Sequence, residues 1–199
     1  MKIFWLCDAR NSYPLNGEIY LGRQPGAANN AYNFCDYDFR LSNRWLRQGR
    51  NLTGDNYFTD INLVEHLYTI NTTYVGTIRK NKRDVPRKLF PNRNKVEESS
   101  IFCISNYLTL VSYVLKRNKI VILLSFMHYD RAVAIDQKHK PDIILYYNDT
   151  KSRVDNFDHF IREYSCKQKV NWWPMVIFFN RIDCAARLNY ILYILTFPN

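Results

Sequence analysis

The stretch that most constrains the fold of this chain is Thr53-Gly54-Asp55-Asn56-Tyr57-Phe58-Thr59. The preceding residues, Arg50-Asn51-Leu52-Thr53, read as a short strand. Ile61, Leu63, Val64, Leu67 and Tyr68 then recur at helical spacing, which predicts a helix over Thr59–Tyr68 with Thr59 or Asp60 as its N-cap. A strand that ends on a carboxylate and turns at once into a helix sets Asp55 at the carboxyl edge of a sheet. The other elements can be placed around it.

Two further acids end or begin elements. Lys2-Ile3-Phe4-Trp5-Leu6-Cys7 reads as a buried central strand with Asp8 at its end. After the turn Ala9–Pro14, Asn16–Gly22 completes a hairpin. Because the sequence starts inside a strand, the chain is expected to be truncated at its start. Ser152–Cys166 reads as a helix with an apolar stripe of Val154, Phe157, Phe160, Ile161 and Tyr164. Asp155, Asp158 and Arg162 line another face of it.

Between these landmarks, Arg23–Gly49 shows no clean period, although Asp38–Arg47 allows a helix. Thr73–Arg79 is strand-like, being rich in β-branched residues. The segment Arg79–Lys95 carries Arg79, Lys80, Lys82, Arg83, Arg87, Lys88, Arg93 and Lys95 against the single acid Asp84. Pro86 and Pro91 interrupt any helix there, so it reads as a basic loop. Ser99–Ser105, Leu108–Leu115 and Ile120–Met127 read as three strands, and Asp142–Tyr147 as a fourth. Trp173-Pro174 opens a final helix, Met175–Leu195, which is apolar nearly all round and therefore expected to be buried. The expected organisation is 1–80 as the first part of a catalytic core, 84–149 as a β-rich insertion with the basic loop, and 150–199 as the helical remainder.

Composition narrows the classes of function. With 199 residues, 47% hydrophobic, the chain can build a core. A net charge of +10 fits either a solvated basic surface or a polyanionic partner, nucleic acid or an anionic membrane face. Cys7, Cys35, Cys103, Cys166 and Cys184 form no C-x-x-C pair, which speaks against a zinc site and against a disulfide framework. No apolar run approaches the ~18 residues of a membrane span.

A strand ending in Asp8, a later strand ending in Asp55 and a helix carrying Asp155 follow the layout of a ribonuclease-H-like, nucleic-acid-cutting α/β core. Three carboxylates suit Mg²⁺ or Mn²⁺, hard ions that take oxygen ligands, in a two-ion site with ions about 3.5–4 Å apart. On pattern alone each acid also has a plain structural use: Asp8 ending a strand, Asp55 forming an Asx turn, Asp155 favouring a helix start.

The sequence resembles the piggyBac transposases and their domesticated derivatives. The residues that carry the resemblance span nearly the whole chain. They are Cys7-Asp8 with Tyr13, Tyr20-Leu21-Gly22-Arg23, Asp55-Asn56-Tyr57-Phe58-Thr59, Val75 through Arg83, Val85-Pro86, Leu108 to Tyr113, Lys140-Pro141, Tyr146-Tyr147-Asn148, Thr150-Lys151, Val154-Asp155 with Asp158, Tyr164-Ser165-Cys166, and Trp173-Pro174. The resemblance implies a DDD core of the ribonuclease-H-like kind, truncated at both ends, with a β-rich insertion. It implies metal-dependent cut-and-paste DNA chemistry at TTAA, in the nucleus. Asp8, Asp55 and Asp155 match the catalytic acids, and Asp158 a further metal-associated acid. The DNA-contacting set is expected to be Arg79, Lys80, Lys82, Arg83, Arg87, Lys88, Lys151 and Trp173. The full-length family forms homodimers, and no membrane partner is expected. The departures are Ser152-Arg153, where the family has two glycines, and Trp172, where it has arginine. A fragment of this kind is expected to have reduced activity or none. The competing expectation is a domesticated or relic DNA-binding protein without catalysis.

Overall fold

The computed structural model describes residues 2–22, 39–92, 95–105, 107–134 and 137–198. It divides into two compact units, Met1–Leu21 with Ser152–Asn199, and Gly22–Lys151. Each is described by itself.

In the unit Gly22–Lys151, residues 39–42 are helical and continue into a 3-10 turn, Asn43–Trp45. This is the described part of the helix expected over Asp38–Arg47; Asp38 itself, Arg23 and Cys35 lie outside the described residues. Strand β3 (Asn51–Gly54) leads into helix α1 (Ile61–Thr69), and strand β4 (Thr73–Thr77) returns parallel to β3. Asp60 caps α1, its carboxylate accepting the Asn62 N–H at 3.0 Å, as the local signals predict. Strands β5 (Ser100–Ile104), β6 (Thr109–Lys116) and β7 (Lys119–Ser125) form an antiparallel meander, and β7 pairs with β4. The result is one five-stranded sheet in the order β3-β4-β7-β6-β5.

Both faces of that sheet are covered, which explains why its strands read as apolar runs rather than alternating ones. Leu63, Val64 and Leu67 of α1 pack with Tyr74, Leu110, Ile122, Leu124 and Phe126. Their strand neighbours Val75, Val111 and Leu123 point the opposite way and pack with Ile143, Ile144 and Tyr147. The basic loop is tied down by the same core. Val85 and Leu89 are buried, and the Leu89 carbonyl accepts a hydrogen bond from the Ser112 hydroxyl at 2.9 Å.

The residues Ile143, Ile144 and Tyr147 correct the strand expected over Asp142–Tyr147. A two-residue strand β9 (Lys140–Pro141), paired with β8 (Val133–Ala134), is followed by helix α2 (Asp142–Thr150). Its buried residues are spaced i, i+1 and i+4, one face of a helix. Ile-Ile-Leu-Tyr-Tyr is β-prone in composition, but packing against the sheet overrides that weak preference.

The unit Met1–Leu21 with Ser152–Asn199 begins with an antiparallel ribbon, β1 (Lys2–Cys7) and β2 (Pro14–Tyr20). Full burial of the first strand is confined to Phe4, because β1 pairs only with β2 among the described residues. Helix α3 (Arg153–Glu163) packs Phe157 edge-on against Trp5, with ring centroids 5.1 Å apart. Phe157 and Ile161 join Cys184, Trp5 and Cys7 in a small core.

Helix α4 (Trp173–Thr196) carries Pro174 in its first turn, where a missing N–H costs nothing. The expectation that it is buried is corrected. Only Asp183, Cys184 and Ile191 are buried, while Phe178, Tyr190 and 192–195 are exposed. An apolar pattern all round shows that a helix lacks a polar side; it does not supply the partner that would cover each side. The loop after α3 is pinned to α4 through Asp183, which accepts the Ser165 hydroxyl at 2.6 Å and the Cys166 N–H at 2.8 Å.

Candidate metal and DNA site

Asp55 follows the last residue of β3 and opens a tight turn. Its carbonyl accepts the N–H groups of Phe58 (3.0 Å) and Thr59 (3.1 Å) and the Thr59 hydroxyl (2.9 Å). Its carboxylate oxygen Oδ1 accepts the Asn56 N–H at 2.6 Å and the Thr77 hydroxyl at 3.2 Å. The Asx turn foreseen as a structural role does not form, because the backbone donor to the carboxylate is the next residue, Asn56, and not the second one on. Both donors meet on one oxygen; Oδ2 accepts no hydrogen bond from a described residue.

The approach of β3 to β4 makes this turn. Gly54 pairs with Gly76 in the parallel register. A side chain on Gly54 would run into the Tyr74 hydroxyl, and one on Gly76 would come within 2.7 Å of the Gly54 carbonyl and of Thr59 Oγ1. Two glycines thus let the strand ends close on each other and bring Thr77 beside Asp55. Thr59 and Tyr74, both buried, join hydroxyls at 3.0 Å beneath the turn.

In the other unit, Asp8 follows β1. Its Oδ1 accepts the N–H groups of Arg10 (2.9 Å) and Asn11 (3.3 Å), and its Oδ2 accepts none from a described residue. Asp155 is exposed in the first turn of α3. One turn on, Asp158 is half-buried. Burial raises its pKa, the Arg162 charge opposes this, and Asp155 adds to the rise. The neighbouring Cys7 thiol is pushed up to about 12, by burial first and then by Asp158, Cys184 and Asp8, so it is not a reactive thiolate. Contact between β1 and α3 therefore places Asp8, Asp155 and Asp158 in one unit, and Asp55 stands in the other. Arg153 opens α3 two residues before Asp155.

Hard divalent ions need carboxylate oxygens not spent on hydrogen bonds. Asp8 and Asp55 each keep one such oxygen, and the side chain of Asp155 accepts no hydrogen bond from a described residue. The donor chemistry therefore fits Mg²⁺ or Mn²⁺. Among the described residues no group of three or more His, Cys, Asp or Glu is assembled to hold a metal.

The basic residues differ in availability. Arg79, Lys80, Arg83, Arg87 and Lys88 are exposed. The Arg79 guanidinium donates to Asn56 Oδ1 at 3.2 Å and lies 5.9 Å from the centre of the Tyr57 ring, so it is tied to the Asp55 turn. Lys82 is half-buried and ion-paired with Asp60. Burial alone would raise the Asp60 pKa, but Lys82 and the Asn62 N–H outweigh it and hold that pKa below its ordinary value. Lys151 is exposed, with its ammonium 5.5 Å from the centre of the Tyr147 ring. Trp173 stands 69% exposed at the start of α4.

Sequence reasoning placed Thr59 only as a candidate helix cap and gave no role to Tyr74 or Thr77. The one sequence signal was Gly76-Thr77 at a strand end, and only the register with Gly54 turns it into a contact with Asp55.

Residues 1–186 match the family model described as Transposase IS4, of the DDE type. A cryo-EM structure of piggyBac transposase, in a synaptic complex with hairpin DNA, matches with a TM-score of 0.88 at 37% identity. The match covers 96% of this chain and 40% of the length of that transposase. Transposases of the DDE type use divalent metal ions as a class. Among the described residues no helix is long and apolar enough to cross a membrane. The chain belongs to the Transposase IS4 family, and its α/β fold is that of the ribonuclease-H-like catalytic core of a piggyBac transposase.

Proposed function

We propose that this chain is the catalytic part of a piggyBac-type cut-and-paste transposase, with Asp8, Asp55 and Asp155 as metal-binding acids and Asp158 as a further metal-associated acid. The observation that carries this is Asp55 itself: a carboxylate at a strand end, held by one oxygen and open at the other, in a chain 37% identical to a piggyBac transposase. Two bound divalent ions would supply activation of the attacking oxygen and stabilisation of the leaving oxygen at phosphorus. The protein's part is to present the acids and to seat the DNA. Lys80, Arg83, Arg87, Lys88 and Lys151, all exposed, neutralise phosphates, and Arg79 does so next to the Asp55 turn. Lys82 contributes less, its charge being offset by Asp60. Trp173 offers an exposed ring on which an unpaired base can stack. DNA is the partner, TTAA the target, the nucleus the place of action, and a homodimer the working form.

A second reading keeps the DNA and drops the chemistry. It is favoured by the net charge of +10 and by Ser152-Arg153, which stand where the resemblance implies two glycines before Val154-Asp155. Nicking of supercoiled DNA, with Mg²⁺ or Mn²⁺ and with EDTA, separates the two. On the first reading the wild type nicks only with metal, and Asp55→Ala does not nick. Equal nicking by both leaves only the second reading, in which DNA affinity falls steeply with salt and ignores EDTA.

A further inference from the structure

Asp55 is approached by two tyrosine–threonine pairs, one from each side of the sheet. A threonine hydroxyl carries one proton. The Thr59 proton is given to the Asp55 carbonyl, so in the 3.0 Å contact the Tyr74 hydroxyl donates to Thr59. The Thr77 proton goes to Asp55 Oδ1, because a carboxylate only accepts, so in the 3.4 Å contact the Tyr147 hydroxyl donates to Thr77. Tyr74 belongs to the core beneath α1, and Tyr147 to the core beneath α2. One pair fixes the backbone of Asp55 and the other its carboxylate.

We propose that Thr77 is a positioning residue for Asp55, supported by Tyr147: it holds Oδ1 and so leaves Oδ2 as the oxygen offered to a divalent cation. Two observations separate this from ordinary turn chemistry. The Asn56 N–H is a neighbour along the chain; the second donor reaches Oδ1 from another strand, 22 residues on. That strand is brought within reach by Gly54 and Gly76, positions that tolerate no side chain. With Oδ1 engaged twice, rotation about the Cα–Cβ bond breaks both hydrogen bonds, and an aspartate side chain otherwise free to turn is set in one rotamer. Groups that orient a metal ligand in this way typically change metal affinity or activity about 10–100-fold when removed.

The proposal rests on the transposase reading for its purpose but not for its test. Thr77→Val removes the hydroxyl at nearly constant shape, Thr77→Ser restores it, and Asp55→Asn serves as reference. Three quantities are measured: the Asp55 Hα–Hβ couplings by NMR without metal, Mn²⁺ affinity by electron paramagnetic resonance, and metal-dependent nicking. Thermal unfolding confirms that each variant is folded. In Thr77→Val the couplings become rotamer-averaged and Mn²⁺ affinity falls roughly 10-fold, while Thr77→Ser stays within about threefold of wild type. Unchanged couplings and affinity in Thr77→Val overturn the proposal, even if Asp55→Asn has lost nicking and the transposase reading stands. If Asp55→Asn nicks as wild type, that reading falls, and rotamer averaging in Thr77→Val alone still decides the positioning role.

Discussion

Asp55 and Asp155, one in each unit of this chain, are held in opposite ways. In Gly22–Lys151, Asp55 sits on a sheet covered on both faces, and strand register, two threonines and two tyrosines hold it. In Met1–Leu21 with Ser152–Asn199, Asp155 stands exposed on a helix turn with no hydrogen bond to its side chain from a described residue, on a scaffold of one ribbon and two helices. The first acid is pre-organised at the cost of two positions that accept only glycine. Among the described residues none fixes the second in that way. Residues of one type can thus differ in how much of their geometry the folded chain already fixes.

The sharpest break of this comparison is in activity. Asp55→Asn and Asp155→Asn should both reduce metal-dependent nicking about 10³-fold, since removing a charged ligand forfeits several kcal/mol and each ~1.36 kcal/mol is tenfold. Loss in one variant only, in side-by-side single-turnover assays, would show that the acids do not act as one set. Next comes stability. Leu124→Ala empties a fully buried site in the five-stranded sheet and should cost about 2–5 kcal/mol in urea unfolding. Leu195→Ala, at an exposed position of α4, should stay within about 0.5 kcal/mol. A large loss from Leu195→Ala would mean that α4 is covered in solution.

The smallest effect concerns pH. The folded pKa of Asp60 is depressed, so its contribution is full above the unfolded aspartate value of about 3.9 and fades as pH falls through the folded value. The Lys82 side chain is 36% exposed, so the pair is worth under ~1 kcal/mol. Asp60→Asn should therefore be less stable than wild type near neutral pH and converge with it in acid, as read by thermal unfolding across that range. Divergence that grows on acidification would refute the assignment.

Legibility in the sequence followed the range of the interactions. The passage from strand to Asp55 to capped helix was readable because each signal is local: Asp60 caps two residues ahead, and Leu63, Val64 and Leu67 repeat within two turns. Asp142–Tyr147 was misread because five apolar and aromatic residues suit a strand as well as a helix, and packing against Val75, Val111 and Leu123 decides between them. The burial of α4 was misread for the complementary reason, that hydrophobicity does not name its cover. Family membership was legible because it rests on the order and spacing of many short motifs.

By itself the sequence determined which acids end which elements, the basic character of 79–95 and the family. Only the tertiary structure decided that Thr77 reaches Asp55, that Lys82 answers Asp60 and that Asp55 keeps one oxygen open. Those facts depend on parallel strand register and on close backbone approach at Gly54 and Gly76, contacts between residues some 22 positions apart that no local preference encodes.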